Sequence, residues 1–518
     1  MSVNKSVVIV VTLTMVSSFS GCTLFNRTNF SLISSYIYDD DGFASLQINF
    51  NTSDKMTLKV FGPVGEVLFL DDYHRGAHTA VAYLDEYRAT PPPGRYEVKA
   101  YDENENVIFE NELFFGSQNI SIAEVIEYWW LEDGKYSLLG LNITLINHGN
   151  LPLYPYNVDV QIDNKRSSAF FLPTVILPYQ SSNTYCFVHI DGISMGNRVL
   201  ELFLKNSKGE NIADIAYNVT PSENVAELKF RWRYMGNKNL VLPDVEFLYD
   251  HYSSLERLAL EDYAAYVFDG YDDKYVDLIV GRLQSITDSS TDVAFINFAA
   301  SFVQHLEYVE DVTESDYPRY PFESLKDAKG DCEDKAILIA SILDSSGYNV
   351  SLLKLPSHVA VGVHLDESAT TYDYYIEEYY FLETTSSGWP CGKIPSEHEG
   401  LSNVTIYAIK QRPLLTHSWK NATHYSGSDG SDYIKMEIVV ENLGRETAND
   451  FKIRGAFFSQ HDIYYNQETT QAYSLAAGSK KIVKMTMDVP QGISTILKTQ
   501  IYLNDKIVHE RESLSSFP

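Results

Sequence analysis

The sequence has few positive charges and few cysteines. Its 518 residues include 40 Lys and Arg against 70 Asp and Glu, a net charge of −30. A nucleic-acid partner requires a basic surface, so this balance argues against nucleic-acid binding. The four cysteines, at positions 22, 186, 332 and 391, are too few for a disulfide framework, and their spacing fits no zinc site. We therefore expect no structural metal, and nothing in the sequence calls for a cofactor.

Apolar and aromatic side chains, in contrast, are abundant. Hydrophobic residues make up 44% of the chain and aromatic residues 13%, with 37 tyrosines. This content is sufficient for packed cores and argues against disorder. Because 518 residues exceed what a single core usually organises, the length predicts three or four domains.

The first 22 residues have the pattern of an export signal. Lys5 precedes an apolar run from Val7 to Val16, and the segment ends in Gly21-Cys22. The run is shorter than the roughly 20 residues that cross a bilayer, so it predicts a signal peptide. The Gly-Cys ending resembles a lipoprotein box, in which Cys22 becomes the lipidated first residue of the mature chain. This predicts a protein anchored through lipid to the extracellular face of the cell membrane, with plain cleavage and secretion as the alternative.

Three stretches read as all-β domains, at 28–118, 119–222 and 413–518. Short strands with alternating polarity, separated by turns, predict a β-sandwich in each. Leu141–Gly149 and Met436–Gly444 are both alternating strands that end in Asn-x-Gly, so the second and third stretches look like repeats. This pattern resembles the adhesion-type immunoglobulin-like modules of prokaryotic surfaces, a fold that does not itself specify a function.

Residues 223–412 change to helical periodicity and carry the candidate chemistry. Apolar residues after Cys332 recur with a helical period up to Gly347, and Asp331 and Asp334 form a loose capping box. Cys332 is therefore predicted in the first turn of a helix. There the unpaired N–H groups and the helix dipole are expected to lower the pKa of a thiol.

A histidine and an acid follow this cysteine at regular intervals. His358 opens a predicted strand, and Glu383 belongs to a further predicted strand, 379–385. Taken singly, Cys332 could be a small buried residue and Glu383 half of an ion pair. A cysteine on a helix, a histidine on a strand and an acid on the next strand together favour a catalytic triad with a sulfur nucleophile.

Several motifs in this order resemble those of the transglutaminase-like superfamily, and more narrowly its archaeal envelope-associated branch. The resemblance implies a papain-like α+β domain over 223–412, with Cys332 as nucleophile, His358 as general base and Glu383 as orienting acid. Most members carry Asp where this chain has Glu383. Gln304 matches a position that could stabilise an oxyanion, and the alternative is a polar residue on an amphipathic helix. The matching segments are Phe302–Tyr308, Tyr317–Leu325, Gly330–Asp334, Pro356–Gly362 and Glu383–Trp389.

The fold class expected is therefore multidomain, with a papain-like α+β core and three immunoglobulin-like sandwiches. The resemblance implies a surface cysteine enzyme that acts on peptide or protein amides of the cell envelope through a Cys332 thioester. Transfer to water, giving a peptidase or amidase, is favoured over transfer to a lysine amine, giving a crosslink. The alternative is a catalytically silent surface protein used for adhesion or peptide binding.

Overall fold

The structure is a computed structural model that is mostly β, with 52% of residues in strands and 14% in helices. No helix among the described residues is long and apolar enough to cross a membrane. The predicted signal peptide and Cys22 lie outside the described residues. The described residues are 29–87, 89–116, 118–258, 260–287, 291–312, 317–366, 372, 374–400, 403–426, 430, 432–459 and 463–517.

The chain is multidomain, as predicted, because its hydrophobic residues gather into separate cores. We call the four parts the N-terminal module (30–115), the second module (120–219), the central module (226–409) and the C-terminal module (415–512). Three of them are built from strands alone. The exact domain boundaries expected from the sequence stay predictions.

The three all-β modules share one plan, in which a three-stranded sheet packs against a larger sheet, of four strands in the first two modules and five in the C-terminal module. The sheet orders are β1-β2-β5 with β4-β3-β6-β7, then β12-β9-β8 with β11-β10-β13-β14, and finally β24-β25-β29 with β27-β26-β30-β31, where β28 adds to β26. In strands such as Met56–Phe61, Asn157–Ile162 and Asp432–Asn442, every second side chain enters the core.

The strands of these modules have the following bounds. The N-terminal module contains β1 (Phe30–Asp40), β2 (Phe43–Thr52), β3 (Met56–Phe61), β4 (Val67–Tyr73), β5 (Gly76–Tyr83), β6 (Gly94–Tyr101) and β7 (Val107–Phe115). The second contains β8 (Ile120–Glu132), β9 (Lys135–Asn147), β10 (Asn157–Ile162), β11 (Lys165–Phe170), β12 (Ser181–Ile193), β13 (Arg198–Lys205) and β14 (Asn211–Val219). The C-terminal module contains β24 (Leu415–Ser426), β25 (Asp432–Asn442), β26 (Ala448–Phe458), β27 (Tyr464–Thr469), β28 (Tyr473–Leu475), β29 (Lys480–Asp488), β30 (Ile496–Leu503) and β31 (Lys506–Glu512).

The repeat seen in the sequence corresponds to one buried asparagine in each of two modules. Asn147 ends β9 and Asn442 ends β25, and each strand lies in the middle of its three-stranded sheet. The Asn147 amide donates to the carbonyl of Leu151 at 2.6 Å, and the Asn442 amide donates to the carbonyl of Glu446 at 2.7 Å. Each side-chain oxygen accepts the N–H of the glycine two residues on. The Asn-x-Gly pattern thus encodes the same buried turn twice.

The central module combines helices with an antiparallel five-stranded sheet of order β21-β22-β20-β19-β23. Helix α6 packs across β19 and β20, helices α2, α3, α4 and α5 pack on α6, and α1 packs on α5. Its elements are β15 (Ala226–Arg233), β16 (Asn237–Asp244), α1 (Glu246–Ser254), α2 (Ala264–Phe268), α3 (Asp273–Ile286), α4 (Asp292–Gln304), β17 (Glu307–Tyr308), α5 (Pro321–Asp327), β18 (Lys329–Gly330), α6 (Cys332–Ser345), β19 (Val350–Leu355), β20 (His358–Val363), β21 (Tyr375–Ile376), β22 (Tyr379–Leu382), a 3-10 turn (Ser396–His398) and β23 (Thr405–Ile409).

Each module contacts the next, and the last contacts the first. Tyr154 of the second module donates to Asp39 of the N-terminal module at 2.8 Å, and the second module packs Phe187 against Tyr275 of the central module, with ring centroids 5.5 Å apart. The central and C-terminal modules are joined by an ion pair between Asp344 and Arg445. In addition, Tyr83 donates to Glu437 at 2.9 Å and the N–H of Ile482 donates to the carbonyl of Glu86 at 2.9 Å, so the four modules form a closed ring.

Candidate active site

Helix α6 begins at Cys332, as the sequence predicted. The Asp334 carboxylate accepts the N–H of Asp331, the N-cap residue, at 3.3 Å and is held in turn by Arg319 at 2.8 Å. Gly330 is required in front of the helix because an added Cβ would lie 2.6 Å from the Cβ of Asp334. The helix start, and with it the position of the sulfur, is therefore fixed by short-range packing and capping.

The sheet brings His358 and Glu383 together. Strand β20 begins at His358, and its antiparallel neighbour β22 ends at Leu382, so the two residues lie at the same end of the sheet. The strand predicted over 379–385 is shorter than expected, and Glu383 follows it rather than belonging to it. The His358 ring nitrogen Nε2 lies 3.1 Å from Oε2 of Glu383.

Glu383 is buried, with 1% of its surface exposed, yet it is kept ionised. Its Oε1 accepts the N–H of Thr385 at 2.8 Å and the Thr385 hydroxyl at 2.5 Å. Burial alone would raise the pKa of this carboxyl, but the hydrogen bond and charge of His358, together with Thr385, lower its pKa to about 2. The ionised Glu383 is thus held in hydrogen-bonding contact with the imidazole of His358.

The sulfur of Cys332 lies beside the start of β20. The N–H of Val359, the residue after His358, donates to it. The thiol itself is directed at Oε2 of Glu333, 3.1 Å away. Among the described residues no hydrogen bond joins the thiol to His358.

The pKa of the Cys332 thiol is raised rather than lowered, which is contrary to the expectation from its place at a helix start. Burial is the largest cause, followed by the negative charge and hydrogen bond of Glu333 and, more weakly, the charge of Asp331. The carboxylates adjoining Cys332 in sequence outweigh the helix dipole and the N–H of Val359. In this conformation the site therefore holds a protonated thiol.

Gln304 is directed at the backbone rather than at the sulfur. Its amide donates to the carbonyl of Glu383 at 2.8 Å and to that of Trp389 at 3.4 Å. These bonds attach the end of α4 to the segment that carries the acid. Its role in binding an oxyanion stays a prediction, and it would require the amide to give up one of these carbonyls.

Lys335 and His398 belong to the site but were not singled out in the sequence. Lys335 is 1% exposed, donates to the carbonyl of Leu306 at 2.6 Å and has its pKa lowered to about 8 by burial, against the opposing charge of Glu383. It follows Cys332 by three residues, a spacing that marks it as a neighbour on the same helix face. His398 stacks on His358 with centroids 4.6 Å apart and planes 4° apart. No pattern in Ser396–His398 indicated that contact.

Two groups of side chains near the site have the composition of metal ligands. In one, atoms of His358, Glu383 and His398 lie within 4.8 Å of one another, and in the other those of Asp311, Asp331 and Glu333 do so. The first suits stacking better than chelation, because parallel rings direct their nitrogen lone pairs into separate planes. The second lies around Cys332 and contributes to its raised pKa.

The remaining cysteines are not part of the site. None of Cys186, Cys332 and Cys391 forms a disulfide. Cys186 and Cys391 are fully buried, and burial raises the pKa of the Cys391 thiol to about 12. Both are therefore poorly reactive internal references for Cys332.

Comparisons with known proteins show only distant likenesses. No family model and no curated protein matches the sequence. Among solved structures, red sea bream transglutaminase is similar over 73% of this chain and 80% of its own, at 11% identity and a TM-score of 0.18. The exo-chitosanase of Amycolatopsis orientalis is similar over 92% and 77%, at 11% identity and a TM-score of 0.17. A β-glucuronidase of glycoside hydrolase family 2 is similar over 93% and 75%, at 8% identity and a TM-score of 0.18. These values assign no family.

Proposed function

We propose that this chain is a transglutaminase-like cysteine enzyme with a papain-like α+β core, acting on peptide or protein amides. The observation that carries the proposal is the buried pair of His358 and Glu383, with Nε2 and Oε2 3.1 Å apart, at the strand end that also bonds the sulfur of Cys332. An ionised acid on an imidazole beside a sulfur at a helix start is the arrangement that activates a thiol.

The proposed reaction depends on which ring nitrogen of His358 contacts Glu383. Glu383 takes Nε2, which leaves Nδ1 of His358 for the thiol. Cys332 first rotates away from Glu333, and its proton passes to Nδ1 as the sulfur attacks the amide carbonyl. When the C–N bond breaks, the imidazolium returns that proton to the leaving amine and a thioester remains. Water or a lysine amine then attacks the thioester carbonyl and gives its proton to His358. The C–S bond breaks, the sulfur takes that proton back as the Cys332 thiol, and a carboxylic acid or a new amide is released; we favour water.

Iodoacetamide labelling tests the nucleophile directly. At pH 7 we expect Cys332 to be alkylated at least about tenfold faster than Cys186 and Cys391, because those two thiols are fully buried and the proposed mechanism gives Cys332 a base in His358. His358→Ala should reduce the rate at Cys332 towards that of the other two. Equally slow labelling of all three thiols in the unmodified protein would exclude an activated cysteine.

A second candidate function is a catalytically silent adhesion or peptide-binding protein. It is favoured by the thiol's hydrogen bond to Glu333 and by the raised pKa of Cys332. Mass analysis of glutamine-containing and lysine-containing peptides after incubation separates the candidates. Hydrolysis of amides supports a peptidase or amidase, crosslinked products support an acyltransferase, and unchanged peptides support the binding protein.

We also propose, from the first 22 residues, that the protein is exported and held at the outer face of the membrane through lipid on Cys22. The mass of the N-terminal peptide from a membrane fraction is the test. A diacylated Cys22 supports the anchor, whereas an unmodified N-terminus in the medium indicates a secreted protein.

A further inference from the structure

A basic groove runs along the hairpin of β15 and β16 and is unlike the rest of this acidic chain. Its volume is about 620 Å³, and its lining includes the cations Lys229, Arg231, Arg233 and Lys238, with His305 at one side. Among the described residues that line it there is no carboxylate. In a chain with 70 acidic and 40 basic residues, such a group makes a local site of opposite charge.

Three of the cations form a straight row. Lys229, Arg231 and Arg233 occupy alternate positions of β15 and are exposed, so they share the outer face of the hairpin. Neighbours in such a row are about 6.6–6.8 Å apart. Asn239 and Asn237 are the cross-strand partners of the two arginines, and they add amide donors on that face.

The other face of the hairpin is fixed to the central core. Phe230 packs against Phe302 with ring centroids 5.2 Å apart, and Trp232 donates through its indole N–H to the hydroxyl of Ser301 at 3.0 Å. Phe302 and Ser301 belong to α4, which ends at Gln304 beside Glu383. The hairpin that carries the cations therefore packs on α4, the helix whose Gln304 also hydrogen-bonds the backbone of Glu383.

The two arginines have no acidic partner within the part of the chain that the structure describes. Lys229 does pair with Glu227, at 2.9 Å, but that pair is exposed and is worth little against a competing anion. Arg231 and Arg233 can therefore bind an external anion without first breaking an internal ion pair.

We propose that this groove binds an extended, acidic segment of a polypeptide, with Glu or Asp at alternate positions. The positive charge of the groove favours an anionic ligand. The spacing of the cations along β15 favours an extended chain. An extended chain repeats its side chains on one face at the same interval as β15, so each carboxylate meets one cation. In the described part of the chain, β15 pairs with β16 alone, which leaves its outer edge for the backbone of such a segment.

Fluorescence anisotropy tests the proposal without depending on the chemistry at Cys332. The probe is a fluorescein-labelled decapeptide with Glu at alternate positions, and a second peptide of the same composition has its Glu residues contiguous. The full chain carrying Cys332→Ser is used, so that the peptide is not consumed. We expect the alternating peptide to bind at least about tenfold more tightly than the contiguous one, and its binding to weaken with salt.

The variant R231E/R233E should weaken binding of the alternating peptide by at least about tenfold. The matched control is K452E/K506E, which changes the net charge equally at two exposed positions of the C-terminal module. The control should stay within about twofold of the starting protein. The single variants Arg231→Gln and Arg233→Gln are each expected to bind the alternating peptide about threefold more weakly. They test the proposal if the double variant does not fold.

Three results would overturn the proposal. Equal losses in both double variants would mean that only net charge matters. Unchanged binding in R231E/R233E would place the peptide elsewhere. Binding of inorganic polyphosphate with no binding of either peptide would assign the groove to a different class of anion.

Discussion

The central module and the two modules with Asn-x-Gly turns bury polar side chains in different ways. Asn147 and Asn442 each donate to backbone carbonyls and accept a glycine N–H, so their polar atoms are neutral and satisfied. In the central module the buried side chains of Glu383 and Lys335, beside the candidate site, are ionisable and have shifted pKa values. The first arrangement stabilises a turn, whereas the second stores electrostatic energy beside a thiol.

This difference predicts whether a substitution should change the stability of the fold or the reactivity of the candidate site. Removing a neutral, satisfied group exposes unpaired partners and lowers the free energy of unfolding. Removing an ionised group at a reactive site changes the reactivity of its neighbours more than the stability of the fold. The experiments below probe this distinction.

The largest effect is expected for Glu383→Gln. The amide cannot stabilise an imidazolium at His358, so we expect the alkylation rate of Cys332 and any amide turnover to fall by roughly 10³-fold. The unfolding midpoint should change little. Exposed Glu256→Gln is the control, and a rate for Glu383→Gln within about threefold of the unmodified protein would remove the acid from the site.

Asn442→Ala and Asn147→Ala should lower the stability of the fold and leave the reactivity of Cys332 unchanged. Each leaves several buried backbone groups unpaired, so urea unfolding of the affected module should show a loss of about 2–4 kcal/mol. Alkylation of Cys332 in the folded protein should be unchanged. Asn104→Ala, on an exposed turn, should cost less than about 0.5 kcal/mol. If the two buried asparagines cost no more than Asn104, the turns do not depend on them.

Acid should weaken the C-terminal module through the buried His417 and the half-buried His509. Burial lowers the pKa of His417 to about 3 and that of His509 to about 4. The unfolded chain, with histidines near 6.5, binds more protons between pH 6.5 and 4, so stability falls as the pH falls through that window. Each ring contributes about 1.4 kcal/mol per pH unit below pH 6.5, so we expect a loss of several kcal/mol between pH 7 and 4. Urea unfolding at several pH values measures this loss.

His417→Gln is the variant that isolates this pH effect. It removes one of the two titrating rings and keeps a polar side chain near Thr499, to which the ring of His417 is hydrogen-bonded at 2.7 Å. The acid-dependent loss should shrink by about half. An unchanged slope would attribute the acid sensitivity to other groups.

The smallest effect is expected at His398. Its ring lies parallel to that of His358 and restricts rotation of the imidazole. His398→Ala should therefore slow Cys332 alkylation by about threefold, and His398→Phe, which keeps a flat ring, should restore most of the rate. If both variants react alike, the stack does not position His358.

Local patterns predicted the fold well where neighbouring residues determine it. The alternating strands and the start of α6 at Cys332 were visible because periodicity and capping are local properties. The Asn-x-Gly repeat was visible for the same reason. The end of β22 at Leu382, opposite Val361 of β20, was not, because strand pairing is not a local property.

The contact between His358 and Glu383 agrees with their order in the sequence, but the electrostatics of the candidate site were not predicted. Cys332, His358 and Glu383 follow one another in an order that indicates a triad. The raised pKa of Cys332 depends on how deeply the sulfur is buried and on the rotamer of Glu333, neither of which the spacing reveals. His398 reaches the site through a turn 40 residues after His358, a contact that only the folded chain creates.

Because the four modules form a closed ring, each module contacts two others. A cut in the backbone between two modules would leave both halves attached through the remaining interfaces, including the bond between Tyr83 and Glu437. A protease acting on a single linker would therefore nick this protein without releasing a fragment, and detaching any one module requires two separate breaks.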